Sequence, residues 1–274
     1  MSNELIIALI KANIVLGVLL TNTIFLIWFE RKLVAGMQSR VGPDRAGPFG
    51  ILQTVADAIK LMLKEQILPV KADRAMYLLA PIVALVPSFL IFMIIPLGPK
   101  LNFEFGGENY IVDFVGADLN VGVLYFLALS SIAVYSVVLA GWSSGSKYPL
   151  LGGVRASAQM ISYEAAMGLA LVPVILYSGS LSLVDIVNSQ SGNLSSSIPI
   201  LNSLVSFIPK WNVFPQFIAF GIFFIAAVAE VNRAPFDLVE AEQELVGGFH
   251  TEYSGFRFAM FFLAEYINMF NMCA

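Results

Sequence analysis

The sequence predicts an all-α fold: a polytopic transmembrane helix bundle with one interfacial amphipathic helix, forming a single domain over residues 1–274. Three observations carry this. Of the 274 residues, 58% are hydrophobic and only 12% charged, which is more apolar surface than a soluble globule of this size can bury. The apolar residues gather into six runs, each near the roughly 20 residues that cross about 30 Å of hydrocarbon as a helix. The alternating pattern of a transmembrane barrel is absent.

The first run, at about residues 5–29, follows MSNEL, which has neither a basic leader nor a small-residue cleavage site, so it reads as a retained span. A long loop follows, at about 30–75. Within it FGILQTVADAIKLMLKE (49–65) places Ile51, Leu52, Val55, Ile59 and Met62 along one helical face and Gln53, Asp57, Lys60 and Lys64 along the other. Such a helix lies along the membrane surface or against neighbouring spans. Gly42-Pro43 and Gly47-Pro48 make the approach to it stiff and turn-rich. The second span, about 76–98, contains Pro81 and Pro87, which predicts a kink. Further spans are expected at about 120–142, 158–180, 214–233 and 256–274. The loops at about 99–119 and 181–213 are rich in Gly, Asn, Ser and acids and read as solvated connections.

Charge sets the orientation. The loops at about 30–75, 143–157 and 234–255, with Arg233 and Arg257 at the flanks of the last, hold all the basic residues except Lys11, Lys100 and Lys210. By the positive-inside rule these loops face the cytoplasm or matrix and the amino terminus lies outside. One cysteine, Cys273, and one histidine, His250, exclude a Cys/His metal site or an iron–sulfur cluster. His250 itself reads as a loop residue. Neither a G-x-G-x-x-G nor a P-loop pattern occurs, so no nucleotide is expected in this chain. The internal repeat common in secondary transporters is also missing.

The chemistry concentrates in residues 229–258, where Asp237, Glu240, Glu242, Glu244 and Glu252 crowd between two apolar runs. Pro235 suits the first position of a helix, and Asp237 suits its positive end. At helical spacing Asp237, Glu240 and Glu244 share a face with Glu242 roughly opposite, and like charges so placed repel by a few tenths of a kcal/mol per pair. Only Arg233 is near enough in sequence to offset them. A solvated acidic loop is the plain alternative, but Glu230 ends one apolar run and Glu265 lies inside the next. Ionisable groups at membrane depth are expensive and mark function. Glu164 is another: if its helix enters the apolar region near Ser157, it sits about 10 Å further in at 1.5 Å per residue. Its plain alternative is a structural hydrogen bond to a neighbouring helix. Together these acids make a chain of proton-exchanging groups conceivable.

Three segments carry a family resemblance: FERKLVAGMQSRVGPDRAGPFGILQTVADAIKLMLKE (29–65), GGVRASAQMISYE (152–164) and AEVNRAPFDLVEAEQELVGGFHTEYSGFRF (229–258). They resemble the quinone-site membrane subunit of respiratory complex I, NADH-quinone oxidoreductase, which in mitochondria is called subunit 1. The resemblance implies a membrane-embedded heel that forms much of a narrow quinone tunnel. Arg31 and Asp57 would stand at the tunnel wall with Glu30 beside them, joined by Phe262 and Tyr266. Glu164, Glu230, Asp237, Glu240, Glu242, Glu244, Glu252 and Glu265 would form the acidic path that couples quinone reduction to proton translocation.

The quinone, ubiquinone or menaquinone, would be a substrate, with no redox centre, metal or nucleotide in the chain itself. The implied partners are the peripheral-arm quinone-site and iron–sulfur subunits, the neighbouring membrane-arm subunits and the lipid bilayer, with no nucleic acid. The implied location is a bacterial plasma membrane, or alternatively the mitochondrial inner membrane. Family members usually have eight spans, so two beyond Ala274 are expected to be missing here. Two other readings are a homologous heel subunit of a membrane-bound hydrogenase and, from a different class, a stand-alone ion transporter.

Overall fold

Long apolar stretches with few helix breakers should fold as long helices, and the computed structural model, which describes residues 3–98, 101–105, 108–112, 114–193, 209–237 and 246–274, shows them. In order they are α1 (Asn3–Met37), α2 (Gln53–Leu63), α3 (Arg74–Phe92), α4 (Gly122–Ser143), α5 (Lys147–Ser178), α6 (Leu183–Ser189), α7 (Phe217–Glu230) and α8 (Gly255–Cys273). The chain is a membrane helix bundle. By length and composition four helices among the described residues can cross a bilayer: α1 over Leu9–Met37, α3, α4 and α5. Of the other two runs expected to span, α7 is apolar but only 14 residues long, and α8 has 19 residues but carries Arg257 and Glu265.

Local chemistry explains several ends. Asp73 caps α3, its carboxylate accepting from the main-chain N–H of Ala75 at 3.0 Å and Met76 at 3.3 Å. Gly179 ends α5 in the left-handed conformation, φ 70°, and its N–H returns to the Ile175 carbonyl. Pro81 and Pro87 lie buried within α3. Helix α1 runs on to Met37, well past residue 29, so Glu30 and Arg31 sit on its continuous helix.

Two differences from expectation stand out. Helix α5 begins at Lys147, inside the loop expected at about 143–157, where the small residues of GGVRASA let it pack tightly. A Cβ on Gly141 of α4 would lie 2.5 Å from the Pro149 carbonyl of α5, and one on Gly152 would lie 2.8 Å from the backbone of Gly248. Both contacts need glycine. The connection at 99–119 also contains a two-stranded antiparallel hairpin, β1 (Leu101–Phe105) and β2 (Glu108–Val112), with Leu101 opposite Val112.

Helices α3, α4, α5 and α7 pack in succession, and α8 lies against α3 and α1. The core between them is built from small and aromatic residues, among them Tyr77, Ala84, Val137, Met160, Phe261 and Ala264. Large apolar residues such as Ile14, Phe25, Leu176 and Phe217 point outward, as lipid-facing surfaces require. Helix α2 is amphipathic as its sequence predicts. Its Thr54 and Asp57 side faces α1, while Leu52, Ile59 and Met62 are exposed, the arrangement of a helix resting on a membrane surface.

Candidate functional site

Two consecutive serines of α4 hold two acids from different helices. Ser130 donates to Glu230 at 2.8 Å, deep in the protein, and Ser131 donates to Glu164 of α5. Among the described residues only one oxygen of Glu230 is engaged; the other is buried without a hydrogen-bond partner.

Glu230 opens onto a small cavity of about 70 Å³ that also receives Asp237 of the following turn and Glu265 of α8. Ser136, Asn232, His250 and Asn268 add to its polar wall, and Ala84, Val137, Met160 and Phe261 are among its apolar residues. The volume holds a few waters. Gln159, from the motif before Glu164, fixes the turn. Its amide donates to the Ala229 carbonyl at 3.0 Å and the Phe236 carbonyl at 2.8 Å, so the end of α7 and the approach to Asp237 are tied to α5.

Arg233 is the junction that sequence reasoning missed. Its guanidinium pairs with Glu30 of α1 at 2.9 Å and with Glu265 at 3.3 Å, and it lies 4.6 Å over the ring of Tyr266. Phe262 stands one turn before Tyr266, ring centroids 5.8 Å apart. Glu30, Tyr266, Phe262 and Glu265 therefore gather on one side of α8. Arg31 points instead to Asp57 of α2 and forms an ion pair that Gln53 supports at 2.9 Å. Burial opposes ionisation of Asp57, but the hydrogen bonds from Arg31 and Gln53 and the Arg31 charge outweigh it and hold the carboxyl below the usual aspartate range. The Trp28 indole donates to the Phe49 carbonyl and the Lys32 ammonium to the Pro43 carbonyl, fastening the loop before α2 to α1.

Not every expected acid joins this set. Glu240, Glu242 and Glu244 lie outside the described residues, as does the helix expected after Pro235. Glu252 is placed elsewhere: its main-chain carbonyl accepts from the Tyr77 hydroxyl at 2.7 Å, and its side chain does not line the cavity. Tyr253 next to it stacks on Tyr77, centroids 4.0 Å apart. Burial pushes the Tyr253 hydroxyl up to about 12, so it stays protonated and donates to the Tyr77 carbonyl at 3.2 Å.

His250 lies in the connection before α8, as expected, but is largely buried there. It sits in the turn Gly248–His250, with its ring edge-on to Phe249 and Phe258 at 5.0 and 5.3 Å. Burial pushes the imidazole down to about 4, although the Asp237 charge works the other way. The unfolded turn therefore binds more protons than the folded one between about pH 4 and the ordinary histidine value near 6.5. Stability of the turn is complete above that window and declines as pH falls through it. Amide hydrogen exchange over residues 248–254, corrected for intrinsic rates, should accelerate as pH is lowered from about 6.5 to 4. His250→Gln should remove that dependence, and an unchanged profile in the variant would show that His250 is not its source.

The family described as NADH dehydrogenase matches residues 10–274. An NADH-quinone oxidoreductase subunit of Frankia casuarinae is 52% identical over 268 residues, covering 97% of this chain and 54% of that protein. The like-named protein of Brevibacillus brevis is 48% identical over 266 residues, 97% of this chain and 70% of its own length. That of Thermomicrobium roseum is 51% identical over 266 residues, 97% and 75%. The chain thus spans about half the length of the first relative and about three quarters of the third.

Proposed function

The chain belongs to the NADH dehydrogenase family, and from that premise we propose that it is the membrane heel subunit of a proton-translocating NADH:quinone oxidoreductase. In this reading it forms much of the quinone tunnel and the acidic path that couples quinone reduction to proton movement. One observation carries the proposal. Arg233 bridges Glu30, on the side assigned to quinone, and Glu265, which lines the cavity shared with Glu230 and Asp237.

A quinone accepts two electrons from an iron–sulfur cluster of a partner subunit and two protons to become the quinol. Negative charge that develops beside Arg31, Tyr266 and Glu30 before protonation competes for Arg233. Its hold on Glu265 then weakens, and the shared proton occupancy of Glu265, Asp237 and Glu230 readjusts as one set. Through the adjacent serines of α4 the change reaches Glu164. Glu240, Glu242, Glu244 and Glu252 belong to the same inward acidic stretch by sequence. The excess of Lys and Arg in the loops at about 30–75, 143–157 and 234–255 supports placing them on the inner face of the membrane, in a bacterial plasma membrane or alternatively the mitochondrial inner membrane.

Native purification through this chain tests the proposal. Expected are co-purifying peripheral-arm subunits with iron–sulfur clusters and NADH oxidation that depends on added quinone. Hydrogen evolution by the purified complex would assign the chain to a membrane-bound hydrogenase. Purification of the chain without partners, with ion conductance in liposomes, would assign it to a transporter.

A further inference from the structure

Away from the acids, an open groove of about 600 Å³ lies between the outward ends of α5 and α7, within the roughly 300–1,000 Å³ typical of ligand sites. Among the described residues its wall is apolar, formed by Leu171 and Val174 of α5, Val187 of α6, and Ala219, Phe220 and Phe223 of α7. Its mouth is polar and fixed in place. The main-chain N–H of Asn212 donates to Gln190 at 3.0 Å, and the Gln216 amide nitrogen donates to the Pro173 carbonyl at 3.1 Å.

Two groups are left over. Asn212 is only 7% exposed, yet among the described residues its side-chain nitrogen has no hydrogen-bond partner, and neither does the side-chain oxygen of Gln216. Buried amides are almost always satisfied, so a donor left over among the described residues at a groove mouth suits a ligand that brings an acceptor. Just before it, Trp211 is half exposed near Phe214, and Lys210 is the one basic residue between Arg155 and Arg233. Tryptophan and lysine so placed mark headgroup level.

We propose that this groove binds an anionic phospholipid of the outward leaflet, with one acyl chain along the α5–α7 wall. An ester carbonyl accepts from Asn212 Nδ2, and the phosphate lies within reach of Lys210. A phospholipid presents apolar chain, carbonyl acceptor and negative charge in the same order as the wall, donor and cation here. A quinone offers no anion for Lys210. The site shares no residue with the Arg233 junction or the acidic cavity, so it stands whatever reaction the complex performs.

The test uses native membranes that contain the assembled complex, labelled with phosphatidylglycerol carrying a photoreactive diazirine in one acyl chain and mapped by peptide mass spectrometry. Labelling at Leu171, Val174, Phe220 and Phe223 should exceed that at the lipid-facing residues Ile14 and Phe25 by about threefold or more, a modest affinity advantage over bulk lipid. Ala219→Trp, which fills the groove, should bring the excess down to the level of α1 and leave α1 labelling unchanged. Asn212→Leu, which leaves the groove open, should also lower the excess, so the outcome does not depend on the bulkier variant folding. Labelling equal to α1 in the natural protein would overturn the proposal, as would no labelling, or labelling that excess quinone displaces and excess phosphatidylglycerol does not.

Discussion

Replacing Arg233 with leucine is expected to lower NADH-driven quinone reduction by about tenfold or more, while NADH oxidation by a water-soluble acceptor is retained. The guanidinium holds Glu30 at 2.9 Å and Glu265 at 3.3 Å and covers the Tyr266 ring. Without it Glu30 and Glu265 lose the cation they share. Breaking a fully buried pair costs about 3–5 kcal/mol and breaking an exposed one about 0–1. These side chains are 28–35% exposed, which places the loss of local stability at about 2 kcal/mol, between those limits, and the fall in rate is expected from the lost route between Glu30 and Glu265. Arg233→Lys should recover only part of the activity, because one ammonium cannot span both acids and stack on the ring as the planar fork does. Near-normal quinone reduction in Arg233→Leu would show that the junction is not on the route.

Glu164→Gln and Glu230→Gln should each leave the complex assembled and yet depress NADH-driven proton uptake severalfold. Glutamine has the shape of glutamate, so packing is kept, and its carbonyl still accepts from Ser131 or Ser130 as the carboxylates do. What is lost is the ability to take up and release a proton. In the proposed path the two acids, each held by one of two neighbouring serines of α4, belong to one set. The double variant should then be little worse than either single one, since effects within one network do not add. Normal coupled turnover in Glu164→Gln would count against its place in the path, and fully additive losses would make the two acids independent.

The helices were readable because long apolar runs leave the backbone no other way to satisfy itself in lipid. Where the reading fell short, the cause was local. The stretch GGVRASA reads as loop by composition, but its small residues allow the close contacts of α5 with α4 and with the turn at Gly248. The strand of the hairpin had a signal, since LNFEF alternates strictly, but the surrounding Gly, Asn and acids outweighed it. Within the site, Phe262 and Tyr266 could be carried over from the resemblance, and Glu230 and Glu265 stood out by depth. Arg233 could not be identified as their hub, because its pairing with Glu30 spans 203 positions of sequence. On sequence it counted only as a flanking charge. His250 was missed for a related reason: its burial is created by Phe249, Phe258 and the cavity, which exist only once the turn has folded back on α5.

The central claim is that acids gathered around one small cavity change their proton occupancy when quinone is reduced. Redox-triggered infrared difference spectroscopy on the purified complex reads this directly, through the C=O stretch of protonated carboxyl groups. The account predicts a carboxyl band that changes on quinone reduction, is lost in Glu230→Gln and is diminished in Arg233→Leu. An identical carboxyl region before and after reduction, or a band that survives unaltered in Glu230→Gln, would contradict it.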